Sequence, residues 1–161
     1  MTDHSRDGGA AADEHAARFL AIINDIIHEY IEGEHERLLD IEACALRNNW
    51  SDEQRRAVRR KAETTVAQVA AQLPGVQSSA WSVRRLERWL ASRNLSTPRW
   101  LIGTRRVELA KRLMTVQRME IDDAAYFVNR EREALDALFK SREGMTAAQW
   151  LGLRRRNDKR G

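Results

Sequence analysis

Apolar residues in this chain recur at three- and four-residue steps, and nowhere do they alternate with the two-residue period of a half-buried strand. The pattern predicts helices throughout. Phe19, Leu20, Ile22, Ile23, Ile26, Ile27, Tyr30 and Ile31 form one broad stripe on a first helix that is expected to end near Gly33. A second helix, roughly 34–47, turns Leu38, Leu39, Ile41 and Ala45 inward. Ser51 and Gln54 have the spacing of a capping box, in which hydroxyl and carboxamide each satisfy a backbone amide, so a third helix starts there and is expected to reach about Leu73. Pro74 and Gly75 should stop it, since proline disfavours a helical residue before it and glycine tolerates the left-handed turn at a helix end. Residues 1–13, with Gly8, Gly9 and scattered aspartates, offer little to bury and are expected to be disordered.

Beyond a loop or helix entry at 78–82, Leu86, Trp89 and Leu90 fall on one helical face, with Arg84, Arg85 and Arg88 on the other. Thr97 can cap a further helix and Pro98 presets its first turn, so a long helix through Leu101, Val107, Ala110, Leu113 and Met114 follows. Ile121, Ala124, Ala125 and Val128 make a short helix that turns at Asn129. The next helix, 130–143, buries Leu135, Leu138 and Phe139 and closes at Gly144. Thr146 then caps a last helix anchored by Trp150 and Leu151, followed by a tail rich in arginine and lysine.

Charge sharpens this outline. The net formal charge of +4 conceals an uneven distribution, because residues 1–80 hold 9 Lys/Arg against 14 Asp/Glu and residues 81–161 hold 19 against 10. The back half is therefore basic, and mainly arginine, whose planar fork suits phosphate oxygens and the guanine edge. The single cysteine, Cys44, excludes a disulfide framework and a cysteine zinc cluster and fits a reducing cytoplasm. The N-terminal residues lack the basic-then-apolar order of a secretion signal, and no run of eighteen apolar residues suggests a membrane span.

The stretch Ser82-Val-Arg-Arg-Leu86-Glu-Arg88-Trp-Leu90, followed by Leu95-Ser-Thr97-Pro98, Leu101-Ile102, Arg106-Val107-Glu108, Ala110 and Leu113-Met114, resembles the DNA-binding domain of the AraC family of bacterial transcription regulators. A second unit continues with Ile121, Ala124-Ala125, Leu135, Phe139-Lys140, Gly144-Met-Thr146 and Trp150, similar to the family's Phe-x3-Phe-Lys followed by Gly-x-Ser-Pro-x-x-Tyr. The chain departs from that pattern at Leu90, Leu95 and Ala147, in a longer run from Leu73 to Trp81, and in Asn129-Arg130. The resemblance implies an all-α fold of two helix-turn-helix units joined by a long linking helix, a homeodomain-like arrangement, preceded by an N-terminal helical segment. On that reading 1–13 is the lead-in, 14–63 the helical segment, 64–156 the DNA-binding domain and 157–161 a basic tail.

The resemblance further implies that Arg84, Glu87 and Arg88 contact bases from the first unit and Arg132, Glu133 and Asp136 from the second. Arg85, Arg106, Arg112, Lys140, Arg154 and Arg155 are candidate phosphate contacts, which position a protein without reading sequence. On spacing alone, Arg84 and Arg88 read as part of a salt-bridged, solvated helix surface, with Glu87 three residues after Arg84, and it is the resemblance that turns them towards DNA. His28, Glu32 and His35 suggest a metal site only weakly, since Gly33 intervenes and a solvated acidic surface explains them, so no metal or cofactor is expected. Trp89, Trp100 and Trp150 read as core, and no nucleophile, paired base or glycine-rich phosphate loop points to catalysis. The expected partner is double-stranded DNA, with RNA polymerase as a second by family analogy. The apolar stripe of residues 19–31 packs on the DNA-binding domain or forms a homodimer contact. The rival reading is an AraC-like protein-interaction module with weak or no sequence-specific DNA binding, favoured by the longer turn and by the acidic Asp136.

Overall fold

The computed structural model describes residues 5–74 and 80–161, and among these every regular element is an α-helix. The elements are α1 (Ser5–Asn48), α2 (Asp52–Ala62), α3 (Val66–Ala71), α4 (Val83–Ser92), α5 (Pro98–Thr115), α6 (Ile121–Phe127), α7 (Arg132–Glu143) and α8 (Ala147–Asp158). No helix among the described residues is long and apolar enough to cross a membrane.

Three expectations for the front of the chain are corrected. Residues 5–13, expected to be disordered, form the first turns of α1. Ala10, Ala11 and Ala12 explain this, because alanine has the best intrinsic helix propensity and extends a helix that is anchored further along. Gly33 does not end the helix either. A glycine inside a helix costs about 1 kcal/mol relative to alanine, but Ile31, Glu34, His35 and Leu38 are all buried around it, so α1 runs straight through. The third helix, expected to continue to Leu73, breaks into α2 and α3. The break occurs where backbone donors find side-chain acceptors: Thr64 N donates to the Glu34 carboxylate at 2.9 Å, and Thr65 N donates to Gln68 Oε1 at 2.9 Å. Gln68 N returns a bond to the Thr65 hydroxyl, which makes a second capping box. Gly75 and most of the longer run between Leu73 and Trp81 lie outside the described residues.

Behind that run the elements follow the hydrophobic pattern closely. Ser82 caps α4, Thr97 caps α5 with Pro98 in its first turn, and Thr146 caps α8 through a third capping box with Gln149. Asn129 takes a left-handed conformation (φ 59°) between α6 and α7, and Gly144 does so (φ 71°) after α7. Helix α8 continues to Asp158, so Arg154, Arg155 and Arg156 sit on a helix rather than in a loose tail.

The core explains how these helices assemble. Helix α1 packs against α2, α3, α5 and α6, while α5 touches α1, α4, α6 and α7, and α8 closes on α7. Ile23, Ile27 and Ile31 are buried in the same apolar cluster as Val69, Leu86, Leu90, Leu113, Leu135 and Phe139. The N-terminal stripe is thus covered by the chain itself, and the core runs unbroken across residues 63 and 64. Each isoleucine so buried contributes about 1.5–3 kcal/mol of hydrophobic stabilisation, enough to hold α1 as part of one body.

Candidate nucleic-acid interface

Helix α4 is fixed from behind. Its inward residues Leu86 and Leu90 are buried, and its flanks are held by aromatic contacts to α1. The Phe19 ring lies 5.0 Å from that of Trp81 and 4.7 Å from that of Trp89. Arg85 stacks over Trp81 at 4.1 Å and Arg93 over Trp89 at 4.2 Å, each guanidinium resting on an electron-rich ring face. What remains outward is Arg84, Glu87 and Arg88, all exposed. None of the three has a side-chain hydrogen bond or ion pair among the described residues, so the local pairing that would have neutralised Arg84 against Glu87 is not made. A rigid helix therefore presents two guanidinium groups with their donors available.

The opposite edge of this surface belongs to α7. A cleft of about 590 Å³ is lined by Val83 and Glu87 of α4, by Leu138 of α7 and by residues 63–66. Arg99, Ile102 and Gly103 of α5 and Arg130 complete its lining. The guanidinium of Arg142 lies against Gly103, where a Cβ would require that side chain to shift. That guanidinium bonds Trp100 O at 2.9 Å and stacks on the Trp100 ring at 4.0 Å. Trp100, expected in the core, is 39% exposed, and its ring is covered by Arg142 instead.

The residues of α7 are less available than those of α4. Arg132 donates to Asp122 at 2.8 Å and lies 3.4 Å from Asp136, and its bond to Asp122 raises its pKa further above the usual range. Asp136 also accepts from Ala147 N at 3.1 Å, tying α7 to the first turn of α8. Of the three residues expected to read bases from this helix, only the exposed Glu133 has no such partner among the described residues.

The candidate phosphate contacts divide in the same way. Arg106 is corrected outright: it is 0% exposed and forms an ion pair with Glu34, itself 1% exposed, so it cannot meet a phosphate. Helix α5 turns that side of itself to α1, which the three- and four-residue spacing alone did not reveal. Arg112 holds both oxygens of Glu32 at 2.7 Å, and Arg154 lies 3.8 Å from Asp158. Arg85 is committed to Trp81, whereas Lys140 and Arg155 are exposed and have no side-chain partner among the described residues.

Around Glu34 and Arg106 a buried network sets the corner between α6 and α7. The Glu34 carboxylate accepts from Thr64 N and from Asn129 Nδ2 at 3.2 Å, while Arg106 also donates to Val128 O at 2.8 Å. The His35 ring nitrogen Nδ1 sits 3.0 Å from Phe127 O, and Arg59 donates to Tyr126 O at 3.2 Å. The acidic stretch around 32–36 is thus not simply a solvated surface, since Glu34 and His35 are buried and Glu32 is paired. Among the described residues no three His, Cys, Asp or Glu side chains gather as metal ligands.

Tyr126 gives this corner a measurable signature. Burial, then its hydrogen bond to Glu42 at 2.7 Å, pushes its phenol up to about 12 from the ordinary 10.0. A raised folded-state value means that the protonated phenol stabilises the fold below pH 10, and that this contribution is lost as pH rises from 10 towards 12. Ultraviolet titration should accordingly show one of the two tyrosines ionising about two units late, and Y126F should abolish that late phase and flatten the stability loss over the same window. A single tyrosinate transition near pH 10 would contradict the Glu42 contact.

One set of cations was overlooked in the sequence. The net negative charge of the front half hides the run at 55–61, in which Arg55, Arg56, Arg59, Arg60 and Lys61 crowd α2. Arg55 pairs with Glu42 at 3.0 Å, but Arg56, Arg60 and Lys61 are exposed, and a charge count over a shorter window exposes the run. Comparison with protein-family models, with curated proteins and with solved structures returns no match to this chain.

Proposed function

We propose that the chain is a DNA-binding transcription regulator of AraC type, acting by binding and without catalysis. On this reading α3 with α4, and α6 with α7, are helix-turn-helix units, and α5 is the linking helix. The observation that carries it is the exposed guanidinium pair of Arg84 and Arg88 on a helix braced by Phe19, Trp81 and Trp89. An unpaired arginine on a fixed helix can make bidentate bonds to guanine in the major groove without first breaking a protein contact. The location of α7 across a shared cleft supports a second, weaker contact, in which Glu133 accepts from a cytosine amine and Lys140 meets the backbone. A contact with RNA polymerase rests on the family resemblance alone.

The local pairing of Arg132 and Asp136 favours a second reading, in which the same fold modulates a protein partner and holds DNA weakly. The two readings separate in the salt dependence of binding to random duplex DNA. Neutralising several phosphates gives a linear fall of log K with log salt, with a slope near −0.9 for each phosphate contacted. The regulator reading expects a slope steeper than about −3 and measurable affinity at low salt. Flat, negligible binding there would leave the interaction module as the better account.

A further inference from the structure

We infer that the groove between α2 and the corner joining α6 to α7 is a phosphate-binding site, filled by a backbone phosphate of duplex DNA. The inference rests on the regulator reading and extends its interface to a helix that lies outside the resemblance. Its first support is Arg59, which is 9% exposed yet has no carboxylate partner among the described residues. Its guanidinium lies 3.9 Å from the centroid of the Tyr126 ring and donates to Tyr126 O, and its Nε has no hydrogen-bond partner there at all. A buried charge without a counter-charge is costly, and an anion from outside the chain removes that cost.

The groove, about 300 Å³, supplies the surroundings an oxyanion needs. Arg56, Arg59, Arg60 and Arg130 line it against only two carboxylates, Glu63 and Glu131. Glu63 is already taken by Arg130 at 2.9 Å, which leaves a cationic excess. Arg56 and Arg60 stand one helical turn apart on α2 and are exposed, and apart from a 3.5 Å bond from Arg60 Nε to Arg56 O neither side chain has a partner among the described residues.

Position decides between a DNA phosphate and a free one. Glu63 and Arg130 also line the cleft that Val83 and Glu87 of α4 border, so the arginine groove adjoins the cleft beside α4. Arg59 and Arg130 further border the first turn of α7, beside Arg132 and Glu133. A duplex that receives the start of α7 in its major groove would bring its flanking backbone to α2.

The test uses the full chain and the double variant R56A/R60A, whose replaced side chains are exposed, with helix content and Tm checked first. The salt dependence of random duplex binding should lose a slope of roughly one, since the single phosphate held in the groove contributes about 0.9. In parallel, inorganic phosphate at matched ionic strength should raise the Tm of the unmodified chain more than chloride does, and this gain should vanish in R56A/R60A. A steep slope that R56A/R60A leaves unchanged overturns the groove assignment and spares the regulator reading. Absence of duplex binding by the unmodified chain overturns the regulator reading itself. If phosphate still stabilises the chain in that case and R56A/R60A abolishes the effect, the groove takes a free phosphate and the DNA assignment is overturned.

Discussion

Glu34→Ala should destabilise the fold by about 3–5 kcal/mol, because it strands the buried guanidinium of Arg106 without its counter-charge. The loss is read as a fall in Tm, at roughly 2–4 °C for each kcal/mol in a chain of this size. Arg106→Met alone should be similarly damaging, since the Glu34 carboxylate would then be buried against Thr64 N and Asn129 without its bonded cation. Replacing both partners is the informative experiment. The double variant E34L/R106M fills the space with apolar atoms, and it should be more stable than the sum of the single losses predicts, with a coupling of about 1–3 kcal/mol. Additive losses would mean that the two side chains do not meet in the interior.

The second large effect concerns recognition. Arg88→Ala should weaken binding to a sequence enriched from random duplexes by roughly 5- to 150-fold, the range expected for losing one bidentate contact of about 1–3 kcal/mol. Arg84→Ala should act in the same direction, and the pair together should bring the enriched sequence close to random DNA. Arg155→Ala should instead weaken all sequences alike, since the proposed reading gives this exposed arginine of α8 a phosphate contact and no base edge. Both α4 residues are solvent-facing, so these losses should come with little change in Tm. Equal effects of Arg88→Ala and Arg155→Ala on enriched and random duplexes would remove the base-reading role.

Helix positions behind Trp81 were legible because each is set by local chemistry. Ser82, Thr97 and Thr146 accept from the amide three residues on, and Asn129 and Gly144 occupy left-handed turns, all of which neighbouring residues decide. The front resisted the same reading because distant contacts override local preference there. Gly33 reads as a helix end, yet α1 continues through it since its flanks are buried against other helices. Thr64 reads as helix interior, yet its amide is claimed by Glu34, 30 residues earlier.

The candidate site divides by the same logic. Exposure of Arg84 and Arg88 follows from helical spacing, because Leu86 and Leu90 fix which face of α4 is inward. The fate of Arg106 does not, since its partner Glu34 lies 72 residues away and no pattern in the sequence joins them. Likewise Arg132 and Asp136 look outward by periodicity, but Asp122 and Ala147 N engage them across neighbouring elements. Arg59 was lost in the opposite direction, hidden by the acidic average of the segment around it.

The most direct test needs no target sequence: arginine side-chain NMR signals of the full chain, followed as short random duplex DNA is added at low salt. The Nε–Hε resonances of Arg84 and Arg88 should shift or broaden among the first, while that of the buried Arg106 should stay unmoved. Perturbation confined to the arginines of α8, with Arg84 and Arg88 unaffected, would contradict the assignment of α4 as the DNA-facing helix.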